Sequence, residues 1–186
     1  MLLATAGADR NSVCAYDQAA FSRLDQQTFD QDVNEGWRRL EACGCYEAAA
    51  DSIAAYRQAR KLESTSLYFH EAQMRAYAGD YDTARKLLAR ARHRTDDLGW
   101  NSYVDATAAF LSRDLAGLRA AREQLRRTPT PDSHPWFDED GKHIPPPPWT
   151  RGDPWPPNLP VVDALIRCFD RSYREAYASP ACAAGG

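Results

Sequence analysis

Gly79-Asp80-Tyr81-Asp82-Thr83-Ala84 has an echo on either side. Gly44-Cys45-Tyr46-Glu47-Ala48-Ala49 lies 35 residues earlier, and Arg113-Asp114-Leu115-Ala116-Gly117-Leu118 lies 34 residues later. In each copy a turn residue is followed two positions on by a large apolar residue, and three beyond that by a small or aliphatic one. A period near 34 is the mark of stacked helix–turn–helix units, each too small to bury its apolar face alone. Such stacks present a surface to a partner more often than they build a chemical site.

Apolar spacing supplies the helices around these turns. Asp17 to about Asp25 reads as a short helix with Ala20, Phe21 and Leu24 apolar. Thr28, with Gln31 three residues on, is a capping-box pattern opening a second helix. That helix carries Phe29, Val33, Trp37 and Leu40 on one face and ends at Gly44. Tyr46 to Arg60 follows as its antiparallel partner, with Ala49, Ala50, Ile53 and Tyr56 in one stripe. A second pair runs over Thr65–Ala78, capped by Ser64 or Thr65, and Tyr81–His93, capped by Asp80. The third, Trp100–Ser112 with Leu115–Arg127, has Arg113 in place of the turn glycine.

Residues 30–127 resemble a tetratricopeptide repeat protein. Ala72, Gly79-Asp80-Tyr81, Ala84 and Ala91 carry the family pattern in the middle repeat. The first repeat departs from it, with Trp37 at the small-residue position and Tyr56 where the last alanine belongs, and no proline closes any repeat. The resemblance implies an all-α fold, a short right-handed solenoid of about three repeats. It also implies a concave groove lined by the first helix of each pair. Placed by distance from the turn, the groove residues are Asn34 and Arg38, then Phe69, Gln73 and Tyr77, then Trp100, Tyr103, Thr107 and Phe110. Aromatic residues at helical spacing serve equally as core, so both roles stay open for this set.

Composition changes abruptly after Arg127. Eleven of the twelve prolines and three of the five tryptophans lie between Pro129 and Pro160. Pro145 to Pro148 must be extended, since each ring fixes φ and removes a donor. Within this arm, residues 136–144 read as a hairpin turning at Asp140-Gly141. Pro160 suits the first turn of a helix to about Tyr177, with Val162, Leu165, Ile166, Phe169, Tyr173 and Tyr177 forming an apolar stripe that would cap the third repeat. The expected organisation is therefore an N-terminal segment (1–27), three helical hairpins (28–127), the Pro/Trp arm (128–159), a capping helix (160–178) and a flexible tail (179–186). Three tryptophans on a solvated arm would expose an unusual apolar area. The arm is thus expected to fold back over the groove with Trp136, Trp149 and Trp155 as anchors.

The chain has 186 residues, 44% hydrophobic and 26% charged, enough for a real core. No apolar run of 18 or more residues occurs, so no membrane span is expected. Net charge is −3 but uneven: residues 57–127 hold 14 basic and 9 acidic side chains, richest at Arg85-Lys86, Arg90, Arg92 and Arg94. The interleaved carboxylates make that a solvated face and not a nucleic-acid surface.

Five cysteines include no C-x-x-C pair, which argues against zinc. Near the two ends of the chain they suit staples: Cys14 with Cys45 or Cys43, taken as Cys14–Cys45, and Cys168–Cys182. Five reduced thiols is the competing reading. Met1 to Ala8 is small and apolar, and Ala6-x-Ala8 fits a signal-peptidase site without the basic and long apolar regions of a signal peptide. The expected location is periplasmic or secreted, or cytoplasmic should Met1 be the true start.

Catalytic signatures are absent from the sequence: no G-x-S-x-G elbow, P-loop, H-E-x-x-H or dinucleotide fingerprint occurs. His134, Asp138, Asp140 and His143 cluster in sequence, but acidic residues with glycine are ordinary turn chemistry. No catalytic residue, metal or cofactor is therefore expected. The expected function is binding of an unidentified protein or peptide by a monomer or weak homodimer, without nucleic acid. One alternative is a small-ligand or envelope-polymer binder stacking its ligand on Trp100 and Tyr103. The other is an enzyme with its site between arm and repeats, around His134 and His143.

Overall fold

The computed structural model describes residues 13–95, 98–130, 132, 136–137, 143–145 and 155–183, with residues 136–137 and 143–144 described by their backbone. Among these the protein is all-α apart from one two-residue ladder. It forms two compact units, Met1–Arg90 and Ala91–Gly186.

The first unit holds α1 (Gln18–Arg23), α2 (Gln26–Gln31), α3 (Arg38–Ala42), α4 (Tyr46–Arg60), α5 (Thr65–Tyr77) and α6 (Tyr81–Leu88). Side-chain oxygens of Asp17, Asp25, Ser64 and Asp80 accept from the first-turn amides of α1, α2, α5 and α6, satisfying donors the helix cannot. Helices α3 and α4 pack together, as do α4 with α5 and α5 with α6. Phe21, Phe29, Trp37, Leu40, Ile53, Tyr56, Leu67 and Met74 form their core. Phe29 and Tyr56 stack with ring centroids 3.8 Å apart, and the Tyr56 hydroxyl donates to the Leu24 carbonyl at 2.9 Å.

The single helix expected from Thr28 to Gly44 is two short ones. Its cap is Asp25, not Thr28, and it stops at Asp32, whose ψ of 124° is extended. Asp32 Oδ1 then accepts from the Asn34 amide at 2.9 Å, and Gly36 turns the chain at φ +51°. Val33, expected on the apolar face, is 69% exposed, whereas Trp37 is fully buried. A Cβ at Gly36 would lie 2.1 Å from the Phe29 carbonyl oxygen, so no other residue fits without backbone movement.

The turns at the three echoes share one hydrogen-bond pattern. Gly44, Gly79 and Arg113 all have positive φ, at 75°, 91° and 57°. In each, the next amide reaches back five residues, Cys45 to Leu40 O, Asp80 to Arg75 O and Asp114 to Ala109 O, all at 2.9 Å. This is the Schellman closure of a helix C-terminus. Gly79→Ala should therefore cost about 1 kcal/mol from backbone strain alone, because a Cβ there meets nothing within 4 Å. Gly36→Ala adds the clash and should cost about 2 kcal/mol or more. Urea unfolding of the two variants checks that order; equal losses would contradict it.

The second unit pairs α7 (Trp100–Leu111) with α8 (Leu115–Arg126) and adds α9 (Leu159–Arg167), α10 (Tyr173–Ala178) and α11 (Pro180–Ala183). Two-residue strands β1 (Trp136–Phe137) and β2 (His143–Ile144) pair antiparallel, Trp136 opposite Ile144. The hairpin turn at Asp140-Gly141 lies outside the described residues. Phe110, Leu118, Leu125, Val162, Leu165 and Tyr173 are fully buried. Arg122 Nε meets Asp163 Oδ1 at 2.5 Å between α8 and α9.

The expected capping helix over 160–178 is broken. It ends at Arg167, and Ser172 opens α10 with a capping box: its hydroxyl accepts from Glu175 N while the Glu175 carboxylate accepts from Ser172 N. The segment expected as a flexible tail is instead held down through residue 183. Cys182 is buried and disulfide-bonded to Cys168, and Arg167 Nε donates to the Cys182 carbonyl at 2.8 Å.

Candidate functional site

Where α2 stops, a polar centre is buried. Asp30 is 2% exposed. Its Oδ1 accepts from Trp37 Nε1 at 3.0 Å and lies 2.6 Å from His70 Nδ1 on α5, and its Oδ2 accepts from Gln31 Nε2 at 2.7 Å. Its backbone carbonyl accepts from Arg38 Nε at 2.7 Å, while the Arg38 guanidinium sits 4.3 Å from the Trp37 ring centroid. A buried carboxylate is tolerated only when its acceptors are filled, and here they are. The same contacts explain the helix break, since Trp37 and Arg38 must fold back onto the residue they would otherwise extend away from.

Burial alone would push the Asp30 carboxyl up, but the hydrogen bond and charge of His70, with the Trp37 and Gln31 donors, outweigh it and hold the group below its ordinary 3.8. Burial raises the nearby Glu41, against the opposing charges of Arg38 and His70. The unfolded chain thus binds its Asp30 proton at higher pH than the folded one. The stabilisation is complete above about pH 4 and is lost as pH falls through the depressed folded value. Urea midpoints should fall on acidification below pH 4, and less steeply in Asp30→Asn; parallel curves would contradict this.

Chemically the Asp30–His70 pair fixes one imidazole tautomer, Nδ1–H toward the carboxylate, as assigned from the contact. A recess of about 280 Å³ lies beside it, lined by Gln26, Gln27, Asp30, Gln31 and Ser66. Ser66 stands four residues before His70, and its hydroxyl bonds the Ser64 hydroxyl at 2.9 Å.

The expected groove set is largely interior. Phe69, Gln73, Tyr103, Thr107 and Phe110 are each 7% exposed or less. In the second unit the cause is visible: Phe110 packs edge-on to Phe169 at 5.7 Å and against Tyr173, from α10. Thr107 turns its hydroxyl back to the Tyr103 carbonyl at 3.0 Å. The idea of Tyr103 as a stacking platform is corrected accordingly. Asn34 is exposed and Arg38 partly so, both beside the Asp30 centre, while Tyr77 is partly buried edge-on to Tyr46. Trp100 is half-buried, stacked on His93 at 5.3 Å with its indole donating to the Ala91 carbonyl. Trp155 donates to the Pro129 carbonyl at 3.1 Å, which ties the two ends of the arm together. The side chains of Trp136 and His143, together with Trp149, His134, Asp138 and Asp140, lie outside the described residues.

Cysteines pair as Cys14–Cys45 and Cys168–Cys182, with Cys43 an exposed free thiol. No described helix is long and apolar enough to cross a membrane. No family model matches the chain, and neither does any curated protein or solved structure.

Asp30 and His70 escaped the reading of the sequence because 40 positions separate them and neither sits in a local motif. A second cluster was closer to legible. Arg57 with Lys61, and Lys86 with Arg90, are cations four apart, three of them in the predicted helices and Lys61 just past one, and they line a cleft of about 570 Å³ formed by α4, α5 and α6.

Proposed function

We propose that this protein is a non-enzymatic interaction module of tetratricopeptide-like helical hairpins. It binds a protein or peptide and works in an oxidising compartment outside the cytoplasm. The observation that carries the reading is the recurrence, at a period of 34–35 residues, of the same left-handed helix closure at Gly44, Gly79 and Arg113. A chain that repeats its turn geometry while varying the residue in it, glycine twice and arginine once, is built as an array, and arrays of hairpins serve recognition. Two disulfides support the compartment, because they persist where thiols are not kept reduced. Of the expected groove residues in the first unit, Asn34, Arg38 and Tyr77 keep accessible surface and are the ones assigned to the partner. The test is saturable one-to-one binding of a peptide ligand, weakened at least tenfold by Asn34→Arg or Tyr77→Ala. Unchanged binding in both variants would remove this surface from the account.

One observation favours a second reading. An imidazole oriented by a buried carboxylate, the carboxylate itself lining a recess, has the partner a general base needs. A hydrolytic turnover by the purified protein that disappears in His70→Gln, with the fold intact, would establish it over the first.

A further inference from the structure

We propose that the cleft between α4, α5 and α6 binds a compact multivalent oxyanion, a small molecule bearing two or more phosphate or carboxylate groups. Its walls carry two pairs of cations. Arg57 and Lys61 are four residues apart at the end of α4, where Lys61 takes the left-handed conformation at φ 52° that ends the helix. Lys86 and Arg90 are likewise four apart, along and just past α6. Each wall thus offers two positive groups, one within a helix and one just past its end.

The charge balance selects the valence. Glu63 is the one carboxylate lining the cleft, and it is shared between the Tyr68 hydroxyl and an ion pair with Arg90. Glu71, buried behind the cleft, pairs with Arg57. Four cations against these two carboxylates leave two positive charges. They belong to Lys61 and Lys86, which make no ion pair among the described residues. The arginines are also held in place: their guanidinium carbons lie 3.8 Å (Arg57) and 4.4 Å (Arg90) from the Tyr68 ring centroid. Cation–π contacts of this kind fix the side chains before a ligand arrives, which lowers the entropy lost on binding. Like charges lining a concavity focus a positive potential into it. A volume of about 570 Å³ is that of a small-molecule pocket. This site stands apart from the surface of Asn34, Arg38 and Tyr77 and does not depend on the peptide-binding reading.

The experiment is calorimetric titration of the intact protein with inorganic pyrophosphate and with citrate at low, matched ionic strength, with acetate as the monovalent control. Saturable one-to-one binding of pyrophosphate or citrate is expected, at least tenfold tighter than acetate. It should weaken at least tenfold in Lys61→Gln/Lys86→Gln and stay unchanged in Arg119→Gln. The single variant Lys86→Glu, on an exposed position of α6, repeats the test if the double variant is unstable. Preference for pyrophosphate assigns a phosphate ligand, preference for citrate a carboxylate one, and equal binding recognition by charge alone. No saturation by either anion, or equal affinity in the wild type and the Lys61/Lys86 variants, would overturn the proposal.

Discussion

Asp30→Ala is expected to lower the unfolding free energy of the N-terminal unit by about 3–5 kcal/mol, the range for removing one partner of a buried charged network. The substitution strands two donors at once, the fully buried Trp37 indole and the largely buried His70 ring. A buried donor without an acceptor costs about 1–3 kcal/mol, so the two together account for the size of the effect. Asp30→Asn keeps one oxygen for Trp37 and His70 but loses the charge and the acceptor for the part-buried Gln31 amide, so it should cost roughly 1–2 kcal/mol. Urea denaturation followed by circular dichroism measures both. A loss under 1 kcal/mol for the alanine variant would mean that the α2–α3 break is held by Gly36 and Asp32 alone.

Removing the Cys14–Cys45 disulfide should cost about 3–4 kcal/mol and removing Cys168–Cys182 about 3 kcal/mol, because loop-closure entropy grows with the logarithm of loop length. The sequence separations are 31 and 14 residues. The first bond ties the segment before α1 to the start of α4, so its loss should also loosen Tyr16, which stacks on Phe21 at 5.3 Å. The second holds α11 against the end of α9. Paired serine substitutions, Cys14→Ser with Cys45→Ser and Cys168→Ser with Cys182→Ser, avoid new bonds to Cys43. Calorimetric unfolding should show the larger loss in the first pair. A reversed order would mean that local packing, and not chain entropy, sets the contribution of each bridge.

Local signals carried most of the scaffold. The Gly-Asp-Tyr turn, the Asp80 and Ser64 caps and the alanines of α4 and α6 act within a few residues, so helix pairing could be read directly. The failures share a cause, contacts made far along the chain. Phe29, Val33, Trp37 and Leu40 have true helical spacing, yet Trp37 is drawn away to Asp30 and, through it, to His70 on another helix. Phe110 sits where a groove residue would, but Phe169 and Tyr173, more than 55 positions on, cover it. One miss was avoidable: Ser172-x-x-Glu175 is a capping box, and it marks the start of α10 inside what the apolar stripe made a single helix. The basic cleft lay half in view, since Lys86 and Arg90 stood out as charge while their facing partners on α4 did not.

The recognition reading is tested most directly by selecting displayed peptides on the immobilised, oxidised protein and measuring the anisotropy of the enriched sequence in solution. The expected result is a single consensus that binds one-to-one and loses at least tenfold in affinity with Asn34→Arg or Tyr77→Ala. A selection that yields no consensus, or a peptide indifferent to both substitutions, would contradict it.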